Sequence, residues 1–369
     1  HWQSLRQNMP ATSVRDLVVK DNDLVLGTHG RGIWIMDDMA ALRELPATVP
    51  PLSGVPQMLF TPAPAWRVRF SNYTDTPLPP DESMAPNPPD GAPIDYIALG
   101  SLPPVLEILD SAGKVVRRYE GKETDQIAPR DTGNVPWYWV RPPQTLVASP
   151  GGHRFVWDLH YQAPPFPHRD FPISAVPART PLEPRGPWAP PGRYTVRLTV
   201  QSPQIDGMHR QTYEKPLVVR MDPRVKTSAG LEAQFQAATQ LADALTRDSA
   251  ALADVRAFRT RIRQVHEQLK GAKKDEFPAL DSLAAALEGG GGGEGEEAPP
   301  RARAGRGTSI ESLTTLAGQL QSLYELVQAA DVAPTTQAQA AIKDRLAALD
   351  IALASWTTLK ARGNGSRPR

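Results

Sequence analysis

The sequence predicts a multidomain α+β protein, with short strands first, a β-sandwich in the middle and an α-helical bundle at the end. Three observations carry that expectation. Proline is unusually abundant, 39 residues against 27 glycines, and most of it lies between Pro46 and Pro223, where it excludes long helices. Apolar residues follow a period of two before Asp222 and a period near 3.6 after Pro223. Composition shifts at the same place, to a stretch rich in Ala, Leu, Gln and Glu. At 369 residues the chain is also too long for one ordinary core.

Residues 14 to 37 read as three short strands within a first region, 1–45. In VRDLVV, Val14, Leu17 and Val19 lead to a turn at Asp21-Asn22-Asp23. DLVLGTH continues through Leu24 and Leu26, and GIWIMDD follows with Ile33, Trp34 and Ile35. Both turns carry residues that tolerate positive φ. Three strands of this size cannot bury both faces alone, so they require neighbours. Residues 46–93 read as a Pro-rich connector, in which MLFTPAPAWRVRF is expected to lay Phe60, Trp66 and Val68 on a neighbouring surface, and 77–93 is a loop by composition.

Residues 94–222 read as the sandwich. IDYIAL opens it, VLEILDSAGKVVRRYEG is a hairpin around Asp110 to Gly113, HRFVWDLHY is a further alternating strand, and PPGRYTVRLTVQ and KPLVVRMDPR supply two more. Spacing and turn signals match an immunoglobulin or fibronectin type III architecture without the cysteine pair. A Pro-rich insertion, 162–191, separates two of these strands. Residues 223–362 form the helical region. Its first stripe runs through Leu231, Phe235, Ala238, Leu245, Leu252, Val255, Ile262, Val265 and Leu269. A Gly-rich linker at 288–307 interrupts it. Thr308 and Glu311 then make a capping box before Leu313, Leu316, Leu320, Leu323 and Val327. Pro334 breaks that helix, and Ile342, Leu346, Leu349, Leu353, Trp356 and Leu359 mark the last. The expectation is an antiparallel three-helix bundle, a candidate for self-association, with a disordered tail at 363–369.

Charge and composition exclude several classes of function. Basic and acidic residues number 41 and 40, a net charge of +1, so no basic stripe for nucleic acid is expected. There is no cysteine, which removes disulfides, zinc-thiolate sites and thiol nucleophiles. No apolar run is long enough to span a membrane. No cofactor pattern is present either.

One stretch carries a resemblance. Residues 12–43, TSVRDLVVKDNDLVLGTHGRGIWIMDDMAALR, resemble the closing blade of bacterial sortilin-type, BNR-repeat β-propeller proteins, chiefly through Leu24 to Trp34. Downstream, RFVWDL at 154–159 and PPGRYTVRL at 190–198 are similar in order, although only the first 43 residues are motif-specific. The resemblance implies that 1–45 is the remnant of a last propeller blade and that the missing propeller is the chain's partner. The opening HWQSLRQNMP, which does not begin with a methionine, is then expected to be the cut edge of a longer, exported protein.

Candidate residues are few. Thr28-His29-Gly30-Arg31-Gly32 fits neither G-x-G-x-x-G nor a Walker A and reads as a tight turn; His29 and Arg31 remain candidates to line a propeller mouth, where Arg suits a carboxylate. Asp37 and Asp38 are adjacent and so point apart, unlike a glycosidase pair held about 5–9.5 Å apart around a sugar; strand-end capping is expected. His153, His160 and His168 do not make a metal set: the first two are expected on one strand but on opposite faces, and the third in a loop. His168-Arg169-Asp170 matches a kinase triplet only by chance, and no Gly-x-Ser-x-Gly elbow occurs. Trp137, Tyr138 and Trp139, beside Arg141, are the main surface candidate, suited to stacking on sugar rings or gripping a peptide. Trp157, Tyr161 and Trp356 are expected in cores. The expected function is therefore a non-catalytic accessory region that braces a propeller and binds a protein or glycan partner. The alternatives are part of a sialidase-like glycosyl hydrolase with its chemistry in the missing blades, or a sortilin-type peptide receptor.

Overall fold

The computed structural model describes residues 5, 7–45, 57–70, 87–100, 102–123, 135–172, 178–204, 207–225, 230–268, 276–289 and 310–365. Residues 77–86 of the expected Pro-rich loop, the Gly-rich linker from 290 on, Leu269, Thr308 and the tail from 366 on lie outside the described residues. The chain is a mixed α+β protein of two compact units. One comprises residues 1–162, 170–183 and 188–226; the other comprises 163–169, 184–187 and 227–369.

The first unit begins with a meander, β1 (Val14–Lys20), β2 (Asp23–Thr28) and β3 (Ile33–Met36), paired antiparallel in the order β1-β2-β3. Asp21 adopts φ 54° at the first turn, and Gly30 and Gly32 adopt φ 75° and 70° at the second. The turn is closed by Thr28, whose hydroxyl donates to the Gly32 carbonyl at 2.6 Å. A short helix α1 (Ala40–Glu44) follows.

Two further sheets enclose one core. The smaller has the order β4-β6-β9, from β4 (Met58–Leu59), β6 (Ala92–Ala98) and β9 (Gly151–Trp157). The larger has the order β5-β11-β10-β7-β8, from β5 (Ala65–Arg67), β7 (Val105–Leu109), β8 (Val115–Glu120), β10 (Gly192–Gln204) and β11 (Gly207–Met221). Ile94, Tyr96, Phe155 and Trp157 from the smaller sheet share a core with Leu106, Ile108, Val196, Leu198, Leu217 and Val219 from the larger. Alternation with period two puts these side chains on one face of each strand.

Two strands of this sandwich come from the segment expected to be a connector. β5 pairs parallel to β11, with Ala65 opposite Val219 and Met221 opposite Arg67. That register inverts the expected facing, because Ala65 and Arg67 are buried while Trp66 is 46% exposed and lies under the Arg220 guanidinium. Phe60 is buried as expected, against Ile97 and the Ala41 and Leu45 side chains of α1.

Among its described residues the second unit contains four helices rather than three: α2 (Leu231–Gln268), α3 (Glu276–Glu288), α4 (Leu313–Gln328) and α5 (Thr336–Gly365). Sequence reading missed α3, whose Phe277, Leu280, Ala284 and Leu287 are buried. Ion pairs give the directions. Arg256–Glu288 and Arg263–Asp281 set α3 antiparallel to α2, and Gln234 donating to the Val327 carbonyl sets α4 antiparallel to α2. Arg247–Asp350 and Lys360–Asp254 set α5 parallel to α2, so that α2, α4 and α5 run up, down and up, as the first, middle and last helices of an antiparallel arrangement do. Helix α4 is capped by Ser312, whose hydroxyl accepts from the Thr315 amide. Glu311, expected in a capping box, instead pairs with Arg345 at 2.6 Å. The segments 163–169 and 184–187 lie on α4, where the Tyr324 hydroxyl donates to the Arg185 carbonyl and Gln321 bonds the His168 backbone in both directions.

The tightest point of the sandwich is Gly91, at φ 135°, where an added Cβ would sit 2.1 Å from the Trp157 carbonyl oxygen. Neither strand can retreat, because Ala92 pairs with Trp157 and both are fully buried. Gly91→Ala is expected to lower stability by about 3 kcal/mol or more, read as a fall in the denaturant midpoint. A midpoint shifted by less than about 0.5 kcal/mol would show that the strands can separate there.

Candidate functional site

The aromatic triplet forms a turn in the first unit, supported from one side. The Trp139 amide donates to the Pro136 carbonyl and the Val140 amide to the Trp137 carbonyl, which closes the turn. Amides of Ala178, Arg179 and Thr180 donate to the carbonyls of Tyr138 and Trp139, and the Arg141 amide donates to the Thr180 carbonyl. Ala178 adopts φ 57° to make this possible, an uncommon conformation for a residue with a Cβ. Trp139 packs on Val135, Val140, Phe171 and Leu182.

Trp137 and Tyr138 are left outside, 66% and 48% exposed, with ring centroids 6.1 Å apart and nearly perpendicular. Tyr138 stands in the same edge relation to Trp139, at 5.8 Å. The backbone that holds Tyr138 also carries Arg179, whose guanidinium lies 4.7 Å from the centroid of the exposed Phe70 ring. The surface therefore offers aromatic faces and one cation, suited to stacking on apolar ring faces rather than to proton transfer or nucleophilic attack.

Arg141 does not belong to that surface. Its Nη2 donates to Glu123 Oε1 at 2.9 Å, and the Glu123 side chain is only 2% exposed. Burial works against the Arg141 charge, but Glu123 and Asp158 outweigh it and hold the guanidinium above its ordinary range. Glu123 Oε2 also accepts from the Gln144 amide, and the Gln144 side chain pairs with both the amide and the carbonyl of Val156 on β9. Arg141 thus ties the aromatic turn to the sandwich.

Glu123 and Asp158 belong to a buried polar network that sequence reading missed. Arg67 is 1% exposed and donates to the Ala189 carbonyl, with its guanidinium 5.4 Å from the Trp188 ring centroid; Arg69 lies 5.2 Å from the same centroid. Trp188 stacks on His160 at 4.0 Å, and the His160 Nδ1 lies 2.6 Å from the Asp158 carbonyl. Leu159, between them, adopts φ 58° while almost fully buried. Arg117 lies over the Tyr119 ring at 4.8 Å, and burial pushes the Tyr119 phenol well up.

The other candidates are dispersed. His29 and Arg31 are exposed at the tip of the β2–β3 turn, where the Trp34 indole donates to the Arg31 carbonyl. Asp37 and Asp38 follow the end of β3, and the Asp38 carboxylate accepts from the Ala40 amide at the start of α1. Burial, with Asp23 nearby, raises both carboxyls. His153 lies on β9 against Tyr96, whereas His160 lies beyond the strand end, so the two do not share a strand as expected. Among the described residues no three His, Cys, Asp or Glu side chains come together as a metal-holding group. Trp157 and Trp356 are core residues, and Tyr161 packs at the edge of the sandwich core.

The two kinds of residue in this region separate experimentally. Trp137→Ala is expected to change stability by no more than about 0.5 kcal/mol, as for an exposed side chain. Arg141→Leu strands a buried carboxylate and is expected to cost about 3–5 kcal/mol. Chemical denaturation of the two variants checks the contrast, and equal losses would place Trp137 in a core. No protein-family model, curated protein or solved structure matches this chain.

Proposed function

We propose that this chain is a non-catalytic accessory region of an exported, bacterial BNR or sortilin-type propeller protein. In this reading β1–β3 belong to a propeller blade, the two-sheet unit is of immunoglobulin or fibronectin type III kind, and the aromatic turn meets a protein or glycan. The observation that carries the reading is the exposure of the first sheet. Leu17, Val18 and Val19 are 55%, 50% and 52% exposed, and Ile33 and Ile35 are 74% and 58% exposed. An apolar three-stranded sheet open on this scale is unusual in a protein at rest and is accounted for by further strands packed against it.

The way this sheet is held supports a bracing role. Arg154 on β9 makes two 2.8 Å bonds to the Asp95 carboxylate and donates to the carbonyls of Asp37 and Asp38 at 3.1 and 3.0 Å. The Asp95 carboxylate, outweighing burial, holds this guanidinium above its ordinary range. Glu44 of α1 accepts from the Thr61 amide and pairs with Lys215. Thr61 holds its carboxylate as well, so that against the effect of burial the group stays below the ordinary range. These bonds fix the exit of β3 and α1 to the sandwich and leave the apolar faces free.

The alternative, a share in glycoside hydrolysis, draws no support from Asp37 and Asp38, because the Asp38 carboxylate accepts from the Ala40 amide at the start of α1. Fold likeness alone would not decide between these roles. The intact mass of the native polypeptide in its source cells tests the reading. A species well above the mass of 369 residues, carrying further strand repeats before β1, is expected; a native species of 369 residues would sink it. Within the chain itself, Arg154→Ala is expected to speed amide exchange over residues 14–36 while α2–α5 keep their protection. Unchanged exchange in β1–β3 would remove Arg154 from the bracing role.

A further inference from the structure

Among the described residues of the helical unit, one buried carboxylate is not explained by its packing. Asp248 lies on the buried face of α2 and is 1% exposed. Its neighbours at helical spacing, Ala244, Leu245 and Ala251, are all core residues. Neither carboxylate oxygen has a hydrogen-bond partner among the described residues. The buried amides of the same bundle are treated differently. Gln234 donates to the carbonyls of Val327 and Ala330, and Gln321 bonds the His168 backbone. The bundle thus satisfies these amides and leaves this carboxylate bare.

No charged group described on the helices packed against α2, Glu276, Lys343 and Arg362 included, bonds the Asp248 carboxylate, and most are paired elsewhere. On α3, Asp281 pairs with Arg259 and Arg263, and Glu288 pairs with Arg256 and Arg259. Glu325, the one carboxylate of α4, accepts from Gln321. On α5, Asp344 pairs with Arg345, Asp350 with Arg247, and Lys360 with Asp254 of α2. No cation on any of these helices offsets the burial of Asp248, which by itself pushes the carboxyl up to about 7.

An ionised carboxylate sealed in hydrocarbon is strongly unfavourable, whereas the protonated acid is tolerated. We propose that the α2–α5 bundle is a proton-sensitive element, closed around a neutral Asp248 and loosened when that acid ionises. In the unfolded chain an Asp loses its proton near pH 3.9, so between about pH 4 and 7 the closed bundle binds one more proton than the open one. Stability then falls as pH rises through that window and levels off above it, with the opening constant growing about tenfold per pH unit.

Hydrogen exchange of the full chain between pH 5 and 8, corrected for intrinsic exchange chemistry, tests this. In the parent chain the opening constant of α2 amides is expected to grow close to tenfold per unit from pH 5 to 6.5 and to flatten above pH 7. Asp248→Asn is expected to lose that slope while amides of β6, β9 and β10 behave alike in both chains. The comparison between chains cancels the contribution of every other group, His168 and His266 included. Parallel slopes in parent and variant would overturn the proposal. Asp248→Leu fills the site without a proton and is expected to be flat and at least as protected as the parent at pH 5; a sloping response there overturns it too. Should neither variant fold, the Asp248 carboxyl carbon resonance of the parent decides: a midpoint near 7 supports the proposal and one near 4 overturns it.

Discussion

The seat of Trp157 constrains most of the first unit. The side chain is fully buried, packs edge-on against Tyr194 at 5.4 Å and donates its indole proton to the His160 carbonyl. That last bond requires the chain to reverse within three residues, and Leu159 takes the left-handed conformation to allow it. The strand that ends at Trp157 also sets everything around it. Its inward residues, Phe155 and Trp157, build the core. Arg154 points outward to the exit of β3, and the Val156 backbone is paired by the Gln144 side chain. Period-two alternation on one strand therefore separates the packing role from the bracing role.

The unit also carries a large load of buried charge. Arg67, Arg117, Glu123 and Asp158 are all nearly inaccessible. Removing such groups from water costs several kcal/mol each unless partners compensate. Here the compensation is extensive: Glu123 takes bonds from Arg141 and the Gln144 amide, and Arg67 reaches a carbonyl and the face of Trp188. The network lies beside the left-handed Leu159, so strain and buried charge are concentrated together. Its effect on the surface is indirect. By committing Arg141 inward, it leaves Trp137 and Tyr138 as an aromatic face on a firmly bonded turn.

How much of this was legible in the sequence depended on whether a residue announced its environment. The hairpin at 105–120 was legible because Asp110 and Gly113 have turn chemistry, and the Asp110 carboxylate does accept from the amides of Ala112 and Lys114. Trp157 and Trp356 were legible from apolar periodicity. Strands β4 and β5 were not, being two and three residues long among prolines. Their pairing comes from distant partners, Ile97 and Val219, which no local pattern specifies. Arg67 was invisible because burial of an arginine needs a ring and a carbonyl supplied by residues 188 and 189. Helix α3 was hidden because its period merged with the segment before it. At the aromatic turn the exposed pair was legible by residue type, whereas the inward commitment of Arg141 depended on Glu123, a residue on another pairing. Asp248 was missed because a stripe is read through its apolar members, and a polar residue in phase with them leaves no mark.

The two units depart from the rule of apolar inside and polar outside in opposite ways, and for different reasons. The helical unit has a long continuous core, so it can enclose one bare carboxyl as long as the proton stays on. Among the described residues the β1–β3 sheet has no second layer, and Leu17, Val18, Val19, Ile33 and Ile35 are exposed. Covering the half-exposed Leu17, Val18, Val19, Ile33 and Ile35 would contribute on the order of 5 kcal/mol at the usual value for burying such side chains. The polar bonds from Arg154 and Glu44 contribute about 1–3 kcal/mol each, as charge-assisted hydrogen bonds do. A surface that covered the sheet would therefore contribute a free energy comparable to that of the attachments that hold it. Those attachments set the direction in which the sheet faces, and the apolar surface supplies the free energy for whatever packs against it.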